Sequence, residues 1–223
     1  MQAKLKLTYD QAEGFVNLKG DAALTRPDGK PLDEEYSEKY QKQLDQIAQS
    51  LGNDAQRQAF MQESNRLVTQ FRGSLTQHVA REFTEYQIGV QQGTIATARD
   101  QMALAWADPE AVAQSVRAIK AATAEEGRLR GWSGKQVEAA TVDALSPGHA
   151  TVIASAVDAG NLDFAREYAK QANEELTPQA RLQVKKALDE GDFETRTQNK
   201  TDEILAKFGG DTAKALAEVR ATM

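Results

Sequence analysis

The side chains able to do chemistry are few and lie far apart along the chain. The only histidines are His78 and His149. They fall on separate predicted elements and are read without a carboxylate at the i, i+4 spacing of a helical metal site. No zinc or di-iron centre is assigned, and both histidines take structural or solvated roles. Cysteine is absent, which removes thiol nucleophiles, disulfides and thiolate metal sites together. Glu63-Ser64 matches the residue pair of lytic transglycosylases, where a single buried acid works in a lysozyme-like cleft. The Gly-Leu-Met-Gln-type and aromatic motifs of that class do not follow it, and a lone glutamate on a long helix belongs on a solvated face. Gly73-Ser74 lies inside a predicted helix and lacks both the strand and the second glycine of a nucleophile elbow, so it reads as a small residue at a helix contact. Gly29-Lys30 and Gly134-Lys135 lack the upstream glycines of a phosphate loop. The expectation is no catalytic residue, no cofactor-binding residue, no metal ligand and no enzyme activity in this segment.

A chain with so little local chemistry has to act through its surfaces and the elements that carry them. Its 27 basic residues are scattered among 33 acidic ones for a net charge of −6, which argues against tight binding to a phosphate backbone. No apolar run reaches the roughly 18 residues of a membrane-spanning helix, and the opening Met1-Gln-Ala-Lys-Leu-Lys-Leu-Thr lacks the apolar stretch of a secretory signal. Aromatic residues make up only 6%, while Ala, Gln, Glu, Lys, Arg and Leu dominate, side chains that lose little rotamer freedom in a helix. Period-two runs of β-branched residues are missing. The fold class is all-α.

A first helix is predicted from Leu5 to Lys19, then a turn-rich connector from Gly20 to Pro31. Tyr36, Tyr40, Leu44, Ile47 and Leu51, spaced by three and four, mark a second helix over 33–51. From Asp54, read as a cap, helical spacing runs through Phe60, Ser64, Leu67, Phe71, Leu75, His78 or Val79, Phe83, Tyr86 and Val90, and on to Trp106. This is either a rod of roughly 80 Å, at about 1.5 Å per residue, or a helix broken at Gly73, Gly89 or Gly93. The glutamine-rich stretch from Gln87 to Gln101 is a small-residue seam for another helix or a place to bend. Asp108-Pro109 stops this pattern and starts a helix to about Arg130, and Ser133 caps another from Lys135 to Leu145 that Ser146-Pro147-Gly148 ends. Trp106 and Trp132, at helix ends, read as core plugs in preference to partner anchors. An echo between Ala156–Phe164 and Ala187–Phe193, with Gly160 and Gly191 each marking a helix end, suggests helical hairpins of a repeat type. Two regions follow: 1–107 with the long helix over about 54–106, and 108–223 with short hairpins. Helical character persists to Met223, which suggests a piece of a longer protein.

Several segments resemble a known family. Ala12-Glu-Gly-Phe-Val-Asn-Leu-Lys-Gly-Asp-Ala-Ala23, Tyr40-Gln-Lys-Gln-Leu-Asp-Gln-Ile and Leu51-Gly-Asn-Asp-Ala-Gln-Arg-Gln-Ala-Phe60 are similar to segments of large tailed-phage virion proteins. Thr-Gln-His78-Val, Gly-His149-Ala-Thr-Val-Ile153, Asn161-Leu-Asp-Phe-Ala-Arg-Glu-Tyr168 and Leu176-Thr-Pro resemble the middle region of the same proteins. The resemblance is to bacteriophage internal virion, or DNA-ejection, proteins, often joined to a peptidoglycan-cutting domain. It implies a non-enzymatic structural component located in the virion, with copies of itself and other virion proteins as partners, that assists DNA delivery through the host envelope. The transglycosylase domain is missing here, and no catalytic residue transfers.

Three function classes therefore stand at this point. The first is the virion component, whose helical units rearrange to pass a narrow channel and repack. The second is a helical-repeat adaptor gripping a protein or peptide on a concave face built from residues 135–208. The third is glycan cleavage, which requires a buried carboxylate facing a cleft.

Overall fold

Asp10 decides where the first helix stops. The computed structural model describes residues 2–207, 209 and 211–222, so Met223 and the Phe208 end of the 135–208 region lie outside the described residues. Helix α1 covers only Gln2–Tyr9. Asp10 Oδ1 then accepts from the amides of Ala12 and Glu13 at 2.9 and 3.0 Å, a local alternative to helix continuation. The expected helix to Lys19 is corrected to α1, a tight turn and a single 3-10 turn over Phe15–Asn17. Gly14 is required in that turn, since a Cβ there would lie 2.5 Å from the Asp10 carbonyl oxygen. The connector contains one short helix, α2 (Asp21–Leu24).

Helix α3 (Leu32–Gln49) follows the predicted stripe: Leu32, Tyr36, Tyr40 and Leu44 are buried, while Ile47 at its end is exposed. Helix α4 runs unbroken from Asp54 to Leu104, 51 residues, with no interruption at Gly73, Gly89 or Gly93. Its cap is Asn53, whose Oδ1 accepts from the Gln56 amide at 2.8 Å, with Asp54 as the first helical residue. The buried positions of α4 step by helical intervals from Ser64 through Phe71, Leu75, His78 and Glu82, then restart at Ile88 and continue through Ile95, Ala98 and Met102. The restart lies next to the division of the chain into two compact units, Met1–Val90 and Gln91–Met223. Asp108, where the sequence places its boundary, marks instead the change from α4 to the next helix.

In the first unit, Leu7, Phe15, Ala23, Leu32, Tyr36, Tyr40, Leu44, Phe71 and Leu75 form one core, so α1 to α3 cover one side of α4. Phe15 meets Tyr36 and Phe71 edge to face. Burying a side chain of this size contributes about 1.5–3 kcal/mol.

In the second unit, α5 (Pro109–Arg130) starts as expected, with Asp108 Oδ1 accepting from the Glu110 and Ala111 amides, and ends on Gly131 at φ 70°. Helix α6 (Gly134–Asp158) corrects the predicted break, because it continues straight through Pro147. Proline there removes the amide donor to the carbonyl four residues back, that of Asp143. Arg99, from α4, donates from Nε to the Ala144 carbonyl at 2.6 Å and from an Nη to the Asp143 carbonyl at 3.3 Å. Gly148 lets Met102 pack beside it, as a Cβ would come within 2.7 Å of the Met102 sulfur.

Helix α7 (Leu162–Gln171) is capped by Asn161, and α8 runs from Pro178 to Lys207 after a cap by Thr177. Gly160, at φ 74°, does end a helix. Gly191 does not: it is buried inside α8, where a Cβ would lie 2.7 Å from Leu162 Cδ2. The echo between the two glycine segments therefore joins a turn glycine to a close-packing glycine, and the second hairpin is replaced by one 30-residue helix. Helix α9 covers Thr212–Thr222. Every described element is helical, and no helix among the described residues is long and apolar enough to cross a membrane.

Candidate functional site

Two polar clusters are built around the two histidines, one in each unit. His149, on α6, is 3% exposed. Its Nε2 lies 2.8 Å from Glu175 Oε2 and its Nδ1 2.8 Å from the Tyr168 hydroxyl on α7. An ionised carboxylate only accepts, so Nε2 carries the proton and donates to Glu175, and Nδ1 accepts from Tyr168. Lys120, on α5, reaches the other Glu175 oxygen at 2.6 Å.

The electrostatics follow from burial and these bonds. Burial pushes the His149 imidazole below its usual 6.5, outweighing the hydrogen bond and charge of Glu175. Burial, with the Glu175 charge beside it, pushes the Tyr168 phenol far above its usual value. Burial works against the Glu175 carboxylate, yet the bonds from Lys120 and His149 hold it below its usual 4.5. At neutral pH the cluster is thus a neutral tyrosine, a neutral histidine and a carboxylate paired with Lys120, with both ring nitrogens engaged. It ties α5, α6, α7 and the turn before α8 together.

The cluster forms part of the wall of a cavity of about 510 Å³, lined also by Val112, Val116, Phe164 and Ala172, with Arg117, Glu167 and Gln171 in the lining. Such an arrangement can orient a hydroxyl donor and an imidazole beside an apolar hollow. Sequence reasoning missed Tyr168 and Glu175 as partners of His149, because they lie 19 and 26 residues away and no local spacing announces them.

In the first unit His78 donates from Nε2 to the Leu18 carbonyl at 2.8 Å and meets the Phe15 ring edge. Glu82, 6% exposed, accepts from Lys19 Nζ at 2.9 Å and from the Gly20 amide at 3.1 Å. Burial opposes its charge, but those two bonds hold its carboxyl below the usual range. His78 and Glu82 are four residues apart, with Nδ1 3.9 Å from Oε1. The sequence reading, which gives His78 no carboxylate at that spacing, is corrected here. The pair hooks the 18–20 segment onto α4. Among the described residues, no three His, Asp or Glu side chains converge in a way that could hold a metal ion.

The remaining candidates are scattered. Glu63 is about half exposed and pairs with Arg66, whose hydrogen bond holds its carboxyl below the usual range, the opposite of a buried acid kept protonated. A Cβ added at Gly73 would meet nothing within 4 Å, and the same holds at Gly89 and Gly93, while Ser74 is half-buried and donates to the Phe71 carbonyl. Trp106 packs partly buried against Phe164, and Trp132 covers Gly127 with Arg130 over its ring.

Large apolar side chains are exposed on several helices, with more than one each on α4 and α8. On α4 these include Met61, Phe83 and Tyr86, and on α8 Leu182 and Phe193. Between α7 and α8 a groove of about 510 Å³ is lined by the apolar Ala169, Leu176, Val184 and Leu188, by Arg166, Lys170, Arg181 and Lys185, and by Asp189 and Asp192. No protein-family model, no curated protein and no solved structure matches this chain.

Proposed function

We propose that this chain is a non-enzymatic structural segment of a tailed-phage virion protein of the internal, DNA-ejection type, held in the particle by contacts with copies of itself and with neighbouring virion proteins. The observation that carries the assembly part is an apolar strip along one exposed flank of α4, beside its core-facing side. Phe83 and Tyr86 stand three residues apart and are 49% and 47% exposed, and Met61 lies on the same side by helical spacing. Large apolar side chains left half open in a line along one flank of a helix favour a surface completed by another molecule. The phage setting is supported by the resemblance of residues 12–23, 40–47 and 51–60 to virion proteins.

Size exclusion with light scattering on the wild type and on Phe83→Ser/Tyr86→Ser tests the assembly. The expected result is a wild-type mass well above the 24.4 kDa chain that falls in the variant. Equal masses for the two overturn it.

A second reading, a helical adaptor for a peptide partner, is favoured by the α7–α8 groove, whose apolar residues and excess of cations, four against the carboxylates of Asp189 and Asp192, suit an acidic amphipathic peptide. Fluorescence anisotropy with such a peptide is expected to show binding that Lys170→Glu/Arg181→Glu abolishes. No binding by the wild type ends this reading.

A further inference from the structure

The outward face of α8 has an order of residues that matches itself when reversed. Along this face stand Leu182, Lys185, Lys186, Asp189, Glu190 and Phe193, all exposed, with Leu182 and Phe193 at 71% and 72%. The core-facing residues of the same helix, Ala180, Val184 and Gly191, lie on the opposite side. The apolar residues close the segment at both ends, the cations fill its N-terminal half and the anions its C-terminal half.

We propose that this face pairs with the same face of a second copy, the two α8 helices running antiparallel about a two-fold axis near residues 187–188. At 100° per residue, that operation brings Leu182 against Phe193 of the partner subunit. On one flank Lys185 meets Asp189 of the partner subunit, and on the other Lys186 meets Glu190 of the partner subunit. Each contact occurs twice, so two apolar pairs bracket four ion pairs over about 18 Å of helix. A parallel arrangement would set Lys185 and Lys186 against themselves and Asp189 and Glu190 against themselves, which fixes the orientation as flanking charges do in paired helices. The contact is small, so the dimer is weak and concentration-dependent. Lys186 and Glu190 already lie 3.6 Å apart within one chain, both largely exposed, and the partner's charges extend this pair into a network.

This surface is distinct from the α4 side chains and does not depend on the virion reading. It is tested in the full chain carrying F83S/Y86S, so that α4 contacts do not contribute. Light scattering over a concentration series is expected to show a monomer–dimer equilibrium. K185E/K186E and D189K/E190K should each raise the dimer Kd by at least about tenfold, given four exposed ion pairs turned into repulsions. Mixing these two variants should give a one-to-one heterodimer, because each supplies the charges the other lacks. The fourfold exchange K185E/K186E/D189K/E190K should restore the homodimer, which guards against a variant that simply loses its helix.

A chain that stays monomeric in the F83S/Y86S background overturns the proposal. So does a Kd unmoved by charge reversal, or a mixture whose members do not associate. Failure of the α4 assembly shows up separately, as identical masses for the wild type and F83S/Y86S.

Discussion

A histidine with both ring nitrogens engaged and almost no exposure has a defined effect on stability. In the folded chain His149 titrates below 6.5, while in the unfolded chain it regains the ordinary value. As pH falls the unfolded state therefore takes up the proton first. The stability this group contributes is complete above about 6.5 and is lost as pH falls through the lowered folded value. Glu175 and Glu82, both held below 4.5, add a loss of the same sign at lower pH. Denaturant midpoints measured between pH 7.5 and 5 should fall, and His149→Gln should flatten that part of the profile; an unchanged slope in the variant would assign it to other groups. Tyr168→Phe removes the donor to Nδ1 and leaves a buried acceptor alone, so a loss of about 1–3 kcal/mol is expected at neutral pH. Little of this was legible in the sequence. Glu82 could be found, standing one helical turn after His78, whereas the partners of His149 are brought together only by packing of α5, α6 and α7.

Pro147 and Gly191 show how identical residue types can punctuate a chain or pass unnoticed within a helix. Local signals were reliable where the physics is local: Asp108-Pro109 starts α5, and Tyr36, Tyr40 and Leu44 face the core of α3 as their spacing requires. Pro147 was misread as a break because its compensation comes from Arg99 on another helix. Gly191 was misread as a turn because the reason for glycine is the approach of Leu162 and Val157, which no local pattern encodes. Arg99→Ala is expected to cost about 1 kcal/mol, mainly by removing the Nε donor to the carbonyl of buried Ala144, since the Asp143 carbonyl can turn to water. Pro147→Ala returns an amide donor to the same turn, so the double variant should lose less than Arg99→Ala alone. A strictly additive thermodynamic cycle would argue against this pairing. Gly191→Ala gains helix propensity yet inserts a methyl group 2.7 Å from Leu162 Cδ2, and a net loss of about 1–3 kcal/mol in thermal unfolding is expected.

Each of the two units owns a hydrophobic core, and both tryptophans, Trp106 and Trp132, belong to the second. Indole fluorescence therefore reports on Gln91–Met223, while far-ultraviolet circular dichroism reports on helices of both units. Phe71→Ala empties the centre of the first core, at a cost of about 3–5 kcal/mol. It should shift the dichroism transition and leave the fluorescence transition in place; an equal shift in both would mean the units unfold as one. The division itself was not legible from composition, since α4 crosses it with an unbroken helical pattern and only the restart of buried positions between Glu82 and Ile88 marks it. For a protein proposed to rearrange during delivery, separable transitions are the property such a measurement looks for.

The three open glycines of α4 have a mechanical consequence. A Cβ added at Gly73, Gly89 or Gly93 would find open space, so packing does not require glycine there, and each weakens the helix by about 1 kcal/mol relative to alanine. They act as soft points in a beam, lowering its resistance to bending without loosening either core. Alanine at all three positions would stiffen the beam alone, separating any task that depends on the suppleness of α4 from those that depend only on its fold.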